Sequence, residues 1–334
     1  MQLKEKFNME KIFVTGINGL LGTNLTFDLL EKGYSVKGLI RNKSKFEGQT
    51  HPNLELIEGD LFDDFTLILK DVDTVIHIAS ETSQNRINYM DYWKINCNAA
   101  SQFQNTAILC KVKTFVFVST ANTLGFGSIY DLGTEQSKIK SPFQSSFYAQ
   151  SKLEAEKNLL KHQDKINVII INPGFMLGAF DTKPNSGKII LMGWKKKIIF
   201  YPPGGKNFVH VKDVAKGIIL SLSKGKYGEN YLMVNENLSY GDFFRKLNNI
   251  TNQRPVMLKI PKKLLIGIGY LGDILRLCKI KTSISSINMK ILCIDNFYTN
   301  KKSISELELK YTPVEDAIKD AIIYFTNKYT VKNI

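Results

Sequence analysis

Two observations predict an α/β fold, with a doubly wound parallel sheet and a smaller, mostly helical C-terminal lobe. Short runs rich in Val, Ile and Phe alternate along the chain with helical patterns. Runs that are apolar at almost every position are typical of strands buried on both faces, and right-handed crossovers cover both faces of such a sheet with helices. In addition, a glycine-rich turn joins the first apolar run to the first helix, which is the junction expected of a strand–helix unit.

The predicted elements follow this alternation in chain order. Apolar, β-rich runs predict strands at residues 11–15, 35–40, 54–58, 74–79, 114–119, 167–171, 208–211 and 231–234. Helical patterns predict helices at residues 20–32, 65–70, 92–110, 147–162 and 213–223, and residues 1–9 are expected to form a tail. The first helix is expected to end at Gly33, because glycine is the usual residue just after a helix.

The pattern changes after Pro173, which predicts two domains. Residues 10–180 are expected to form the first domain, and residues 208–235 to return to it. Residues 181–207 and 236–330 are expected to form the second, a substrate-binding lobe. Its apolar stretch at residues 264–271 favours a helix packed on this lobe, with an apolar lid or a shallow membrane contact as the alternative.

The composition excludes several classes of protein. The 334 residues carry 45 Lys and Arg against 31 Asp and Glu, a net charge of +14, but the lysines are scattered, so no nucleic-acid partner is expected. No run of 18 uncharged apolar residues occurs, which argues against stable membrane insertion. Four widely spaced cysteines indicate free thiols and no metal site. We therefore expect a cytoplasmic protein.

The turn TGINGLLG, residues 15–22, has the pattern of a phosphate-binding site. Gly16 would allow the tight turn, Gly19 would let a pyrophosphate approach the backbone, and Gly22 would let the helix pack closely on the sheet. The free N–H groups at the start of the helix suit an anion. The expected cradle also includes Asn18, Leu20 and Leu21.

The end of the second predicted strand indicates which dinucleotide the turn binds. Arg41 stands where an acidic residue would bind the ribose of NAD, and an arginine there suits the 2′-phosphate of NADP. Lys45 adds positive charge nearby. The alternative is that Arg41 is a solvated loop charge. After the third strand, Asp60 and Leu61 are expected near the adenine, although Asp60 could instead cap the next helix.

A second set of residues has the chemistry of proton transfer. Tyr148 and Lys152 lie four residues apart and so share one face of a helix. The lysine ammonium is expected to lower the phenol pKa from its ordinary value near 10. The same ammonium can bond the nicotinamide ribose, so Tyr148 and Lys152 are also expected to contact the cofactor. Thr120 ends a strand and could hold a substrate carbonyl oxygen beside the phenol. Asn96, on the preceding helix, could hold a water that relays protons to Lys152.

Together these residues resemble the extended short-chain dehydrogenase/reductase superfamily over nearly the whole chain. The matching segments are TGINGLLG (15–22), GDLFD (59–63), VIHIAS (75–80), KINCNAAS (94–101), FVFVSTANTLG (115–125), YAQSK (148–152), INPGFMLG (171–178) and GGKNFVHVKDVAKG (204–217). Together these segments resemble the branch that holds dihydroflavonol-4-reductase-like proteins, hopanoid-associated sugar epimerase-like proteins and 3β-hydroxysteroid dehydrogenases.

The resemblance implies a Rossmann domain that binds NAD(P), with Tyr148 as general acid/base, Lys152 as the residue that tunes it, Thr120 as partner of the substrate oxygen and Asn96 as the family's helix asparagine. It also implies cofactor contacts from the ends of two further strands. These contacts are Ala79, Ser80, Pro173 and Gly174. The family often forms homodimers through its two long helices, here residues 92–110 and 147–162.

Departures from the family pattern narrow the expected reaction. Ala121 follows Thr120 where 4,6-dehydratases carry an acid, which argues against dehydration. Arg41 replaces the acid typical of 4-epimerases, and Leu124 replaces a tyrosine common in sugar-modifying relatives. We therefore expect an NADPH-dependent reductase that acts on a ketone or aldehyde, with NAD as the other possible cofactor. The alternatives are a nucleotide-sugar epimerase with retained NAD, a non-catalytic NADP sensor, and a membrane-surface enzyme that acts on lipids.

Overall fold

A seven-stranded, fully parallel sheet forms the centre of the protein in the computed structural model, which describes residues 9–331. Its strands lie in the order β3-β2-β1-β4-β5-β6-β10, so the order reverses between β1 and β4. The strands are β1 (Lys11–Thr15), β2 (Ser35–Ile40), β3 (Leu54–Glu58), β4 (Thr74–His77), β5 (Thr114–Val118), β6 (Asn167–Pro173) and β10 (Asn230–Met233). The predicted doubly wound α/β fold is confirmed.

The remaining strands form two small sheets. One holds β7 (Phe175–Leu177), β9 (Gly205–His210), β11 (Glu236–Ser239) and β13 (Asp295–Asn296), and the other pairs β8 (Ile198–Tyr201) with β12 (Val256–Lys259). The sequence predicted only β9 among these six, and β9 does not lie in the large sheet. Residues 208–235 were predicted to return to the first domain. Of this segment, β10 joins the large sheet, whereas β9 lies in the small sheet with β7, β11 and β13.

Helices cover the sheets and make up most of the C-terminal portion, as predicted. They are α1 (Leu20–Glu31), α2 (Thr66–Leu69), α3 (Tyr89–Trp93), α4 (Ala99–Leu109), α5 (Phe147–Leu160), α6 (Lys188–Gly193), α7 (Val211–Lys224), α8 (Tyr240–Ile250), α9 (Lys262–Leu277), α10 (Ser286–Ile291), α11 (Lys301–Leu307) and α12 (Val314–Val331). Within the described part of the chain, no helix has the length and apolar character needed to cross a membrane.

Side chains of the central strands alternate between two cores. In β1, Ile12 and Val14 belong to one buried cluster and Phe13 to another, and in β5 Val116 and Phe117 divide in the same way. Both faces of each strand are therefore buried. This explains why the strands appear in the sequence as almost continuous apolar runs instead of alternating ones.

Several predicted boundaries differ from the structure. The helix predicted at residues 92–110 begins earlier, at Tyr89, and consists of α3, a π-helical segment Lys94–Asn98 and α4. The strand predicted at 74–79 ends at His77, because Ile78 and Ala79 turn away and donate their N–H groups to Thr15 Oγ1. The predicted tail lies outside the described residues except for Met9.

Candidate active site

The glycine turn between β1 and α1 lies against the end of β4. Gly16 has a positive φ of 74°, and a Cβ on it would lie 2.8 Å from the backbone nitrogen of Ala79. A Cβ on Gly22 would lie 2.1 Å from the Gly16 carbonyl oxygen. Thus Gly16 is needed for the turn, as predicted, but Gly22 allows α1 to pack on the turn itself rather than on the sheet.

The N-terminus of α1 offers unused hydrogen-bond donors. Its cap residue, Gly19, has no side chain, and the helical ladder begins with Thr23 N donating to Gly19 O at 2.9 Å. The N–H groups of Leu20, Leu21 and Gly22 therefore point out of the helix, and the first turn carries no acid that would repel an anion. Half-buried Asn18 precedes them. This cradle fits a pyrophosphate.

Arg41 follows β2 at the same edge of the sheet. Its side chain is exposed and forms no hydrogen bond or ion pair within residues 9–331, and Lys45 is exposed in the short turn that follows. This exposure is also compatible with the alternative of a solvated charge, but an unpaired guanidinium at this strand end fits a 2′-phosphate. The assignment of both residues to the cofactor stays a prediction.

Asp60 and Leu61 follow β3. Asp60 is exposed, and its Oδ1 accepts a hydrogen bond from Phe62 N at 3.3 Å. The alternative that it caps the next helix is wrong, because Asp64 Oδ1 accepts from Thr66 N, the first residue of α2. Leu61 packs half-buried against the core beneath α4. The free Asp60 carboxylate oxygen remains available to an adenine amino group.

The floor between β1 and β4 is held by one hydroxyl group. Thr15 Oγ1 accepts hydrogen bonds from Ile78 N at 3.1 Å and Ala79 N at 3.2 Å, so its proton is directed to His77 Nδ1, 3.2 Å away. Burial, together with the nearby charge of Lys152, lowers the pKa of His77 to about 3. His77 therefore stays neutral, and the half-buried Ala79 and Ser80 that follow are fixed beside the glycine turn.

Tyr148, Thr120 and Lys152 meet at the end of β5. Thr120 Oγ1 accepts from Asn122 N at 3.3 Å, which leaves its proton free for another oxygen. The Thr120 hydroxyl acts on the Tyr148 phenol, whose pKa it lowers. Lys152 is buried, donates from Nζ to the Val118 carbonyl oxygen at 2.6 Å, and lies 4.1 Å from the centre of the Phe117 ring. The structure thus brings the three residues together at the edge of the sheet where α1 begins.

The expected lowering of the tyrosine pKa does not occur in this structure. Burial raises the pKa of Tyr148 to about 12, and the hydrogen bond with Thr120 opposes this only in part. Burial also lowers the pKa of Lys152 to about 7, although the negative charge of Glu156 acts in the other direction. The ammonium is directed to Val118 and Phe117, so it does not act on the phenol here.

Asn96 lies in the π-helical segment and is completely buried. Its Oδ1 accepts from Glu81 N at 2.7 Å, and its Nδ2 donates to Glu81 O at 3.1 Å and to Ser151 Oγ at 3.0 Å. These bonds join the loop after β4 to α5, which carries Tyr148 and Lys152. The structure thus gives Asn96 a positioning contact, and its predicted water relay stays a prediction.

A buried carboxylate behind the site was missed from the sequence. Glu156, only 6% exposed, accepts from Thr123 Oγ1 at 2.8 Å and from Asn172 Nδ2 at 2.9 Å. Asn172 Nδ2 also donates to the Thr120 carbonyl oxygen at 3.1 Å, and Thr123 Oγ1 lies 2.9 Å from that oxygen, so the one Thr123 proton is shared between the carbonyl and Glu156. Glu156 lies four residues after Lys152 and eight after Tyr148, so its helical spacing could have revealed it.

The end of β6 closes the other side of the site. Pro173 is buried, and a Cβ on Gly174 would lie 2.9 Å from Asn207 Oδ1, so the chain passes close to β9 there. Lys206, also missed from the sequence, is half-buried on β9, and its Nζ lies 4.8 Å from the centre of the Phe175 ring. Burial lowers its pKa to about 8, and it forms no ion pair with any described residue.

Comparison with known proteins finds a matching family and relatives of similar length. A sequence model described as the NAD-dependent epimerase/dehydratase family matches residues 12–235. The chain is 27% identical over 330 residues to a Synechocystis sp. protein named as a dihydroflavonol 4-reductase, covering 96% of each. It is 26% identical to sterol demethylase protein B of Methylococcus capsulatus, covering 94% of this chain and 98% of the relative. Among solved structures, the crystal structure of gox2253 matches with a TM-score of 0.81 and a sequence identity of 28%, covering 96% of this chain and 98% of that one.

We predict that Gly22→Ala destabilises the protein and weakens dinucleotide binding. The added Cβ would lie 2.1 Å from backbone oxygen, which cannot move aside as a flexible side chain could. Overpacking of this kind costs about 1–3 kcal/mol. The measurement is the free energy of unfolding in urea, together with dinucleotide affinity. The control is Gly267→Ala in α9, which meets nothing within 4 Å and should be neutral or slightly stabilising.

We also predict that Glu156→Gln shifts the pH dependence of kcat/KM toward lower pH. The negative charge of Glu156 raises the pKa of Lys152, so its removal lets this pKa fall further below its ordinary value. The ammonium form then disappears at a lower pH, and kcat/KM at neutral pH falls roughly three- to tenfold. Glu154→Gln is the matched control, because Glu154 bonds Tyr89 and Trp93 and does not contact Lys152. A profile unchanged by Glu156→Gln contradicts the role of the carboxylate.

Proposed function

Because the chain belongs to the NAD-dependent epimerase/dehydratase family and is an oxidoreductase of the extended short-chain dehydrogenase/reductase type, we propose that it reduces a ketone or aldehyde with NADPH. The observation that carries this proposal is the meeting of Tyr148, Thr120 and Lys152 at the edge of the sheet where the glycine turn opens. The name of the Synechocystis relative, a dihydroflavonol 4-reductase, supports reduction of a carbonyl group.

The dinucleotide would be held by groups along this edge. The N–H groups at the start of α1 would bind the pyrophosphate, and Arg41 with Lys45 would bind the 2′-phosphate of NADPH. Asp60 would accept from the adenine amino group, and Ala79 and Ser80 would contact the dinucleotide. Pro173 and Gly174 would border the nicotinamide. When bound, the dinucleotide supplies a hydride to the carbonyl carbon of the substrate.

Two side chains of the protein would then act on the substrate oxygen, and a third on the phenol of Tyr148. The Thr120 hydroxyl, whose oxygen already accepts from Asn122 N, donates a hydrogen bond to this oxygen. Tyr148 gives its proton to the same oxygen as negative charge develops there, and the pKa of about 12 keeps it protonated beforehand. The Lys152 ammonium stabilises the phenolate that remains, which requires it to turn from the Val118 carbonyl toward the phenol.

Lys206 favours a second candidate function, a nucleotide-sugar epimerase with retained NAD. A half-buried cation that pairs with no acid among residues 9–331 attracts an anionic group, and a sugar nucleotide carries a diphosphate. Asn296 of β13 is the register partner of Lys206 and donates to Asn122 Oδ1 at 3.3 Å, close in the chain to Thr120. This neighbourhood supports a role for Lys206 in binding the substrate. Purified protein that carries tightly bound NAD and epimerises a sugar nucleotide without added cofactor would support this alternative.

We predict that Tyr148→Phe lowers kcat at least about a hundredfold and leaves NADPH affinity within about twofold, because only the proton donor is lost. The measurements are a carbonyl-compound screen at the nicotinamide absorbance and a binding titration of the dinucleotide. Tyr92→Phe is the control. The Tyr92 ring lies beside the Tyr148 ring, but the Tyr92 hydroxyl donates to Ser83 O and has no part in the proposed chemistry. Full turnover by Tyr148→Phe would remove Tyr148 from this role.

We further predict that Arg41→Glu weakens NADPH binding about ten- to a hundredfold and leaves NADH binding nearly unchanged. The lost charge-assisted hydrogen bonds account for about 1.5–3 kcal/mol. Lys165→Glu makes a similar charge change at the opposite end of the sheet, just before β6, and should leave both affinities unchanged. Equal loss of NADH and NADPH affinity, or no loss of either, shows that Arg41 does not read the 2′-phosphate.

A further inference from the structure

The outward face of α9 is apolar along its whole length. Leu264, Leu271 and Ile274 are 56%, 63% and 57% exposed. Together with Gly267, they recur at spacings of three and four residues, which places them on one side of the helix. We call this set, with the neighbouring exposed Leu275, the α9 stripe. The charged residues of the helix lie at its ends or on its inner side.

The opposite face of α9 already has its packing partner. A Cβ on Gly269 would lie 2.7 Å from Ser286 Cα, and a Cβ on Gly272 would lie 2.4 Å from Ile284 O, so α9 and the α10 segment are in backbone contact. The sequence prediction of a helix packed on the C-terminal lobe is correct for this face alone. The α9 stripe therefore does not serve the internal core.

A second exposed apolar face lies just before α9 in the chain. In the parallel pair of β8 and β12, Ile198 is opposite Val256 and Phe200 is opposite Leu258. These four side chains are 43–58% exposed, while the alternate residue Ile199 is buried. Only Ile260 and Pro261 separate β12 from α9. A paired, outward-facing apolar surface of this kind is unusual for a sheet that meets only water.

The segment that contains the stripe is strongly basic. Between residues 251 and 284 there are seven basic residues and one acid, Asp273. Of these basic residues only Arg276 is half-buried. The six exposed ones are Arg254, Lys259, Lys262, Lys263, Lys279 and Lys281. Lys195, Lys196 and Lys197 precede β8 and are also exposed. Apolar side chains flanked by lysines are the combination that an anionic lipid surface attracts.

We infer that the α9 stripe docks on an anionic phospholipid bilayer, with its apolar side chains in the headgroup boundary and the flanking lysines on lipid phosphates. The helix is 16 residues long and lies on the protein surface, so it binds in the plane of the interface and does not cross it. A second copy of this chain suits the stripe less well, because two like-charged basic rims would face each other across the contact.

Docking would bring the bilayer close to the loop that borders the candidate active site. Arg276 Nη2 donates to Gln84 O at 2.7 Å, and the same loop is held at Glu81 by Asn96. A cavity of about 610 Å³ lies between this loop and the end of α9, lined by Ile87, Asn88, Asp273, Arg276, Leu277 and Lys279. The docking proposal does not depend on the proposed reaction, since it rests on the surface alone.

The test is co-sedimentation of the full-length protein with vesicles. Wild type should bind vesicles of phosphatidylcholine mixed with phosphatidylglycerol more tightly than vesicles of phosphatidylcholine alone, and added salt should weaken the binding. Leu264→Asp and Leu271→Asp should each lower the partition coefficient of the protein between vesicles and solution roughly tenfold or more. Leu264 lies in the first turn of α9, where an acid suits the helix dipole, so this variant should fold.

Leu67→Asp is the matched control, because Leu67 is 79% exposed on α2, away from the basic segment, and its variant should bind like wild type. Lys262→Glu with Lys263→Glu should lower binding only to the anionic vesicles. The proposal is overturned if wild type does not bind anionic vesicles at low salt, or if Leu271→Asp binds as wild type does. It is also overturned if wild type is a dimer by light scattering that Leu271→Asp dissociates without any vesicle binding, since the stripe is then a self-contact.

Discussion

The close approach of two backbones at the point where the strand order reverses is the constraint on which the site depends. The turn after β1 can lie against the end of β4 only because Gly16 has no Cβ, and the Thr15 hydroxyl then ties the two chain segments with hydrogen bonds to Ile78 N and Ala79 N. This contact opens the crevice at the carboxyl ends of the parallel strands, where ligands bind in this architecture. Every candidate cofactor residue lies along this one edge.

Buried charge is the second physical theme of the site. Lys152 is held in an apolar environment beside Phe117, with Glu156 one helical turn away in the same interior. Such an ammonium is destabilised by burial, so its protonation is sensitive to what lies beside it. The network of Glu156, Asn172 and Thr123 also holds the Thr120 carbonyl. It thereby couples the position of the Thr120 residue, whose hydroxyl we propose binds the substrate, to the buried carboxylate of Glu156.

The C-terminal lobe uses its surface differently from the nucleotide-binding half. Its interior packs through close glycine contacts between α9 and α10, while its outer face presents leucines and lysines to solvent. The sequence showed the apolar stretch at residues 264–271 but not which of its faces was buried. That distinction needs the position of α10, which is separated from α9 by an irregular segment.

The sequence by itself determined the parallel sheet, the glycine turn and the order of the residues expected to act, because each depends on local pattern: apolar runs, a Gly16 turn, and Tyr148 four residues before Lys152 on a helix. It did not determine the pairing of β9, the π-helical segment around Asn96, or the buried positions of Glu156 and Lys206. Nor did it determine the direction of the Tyr148 pKa. Those features depend on which distant segments exclude water from a side chain, and burial is a property of the packed chain that local spacing does not encode.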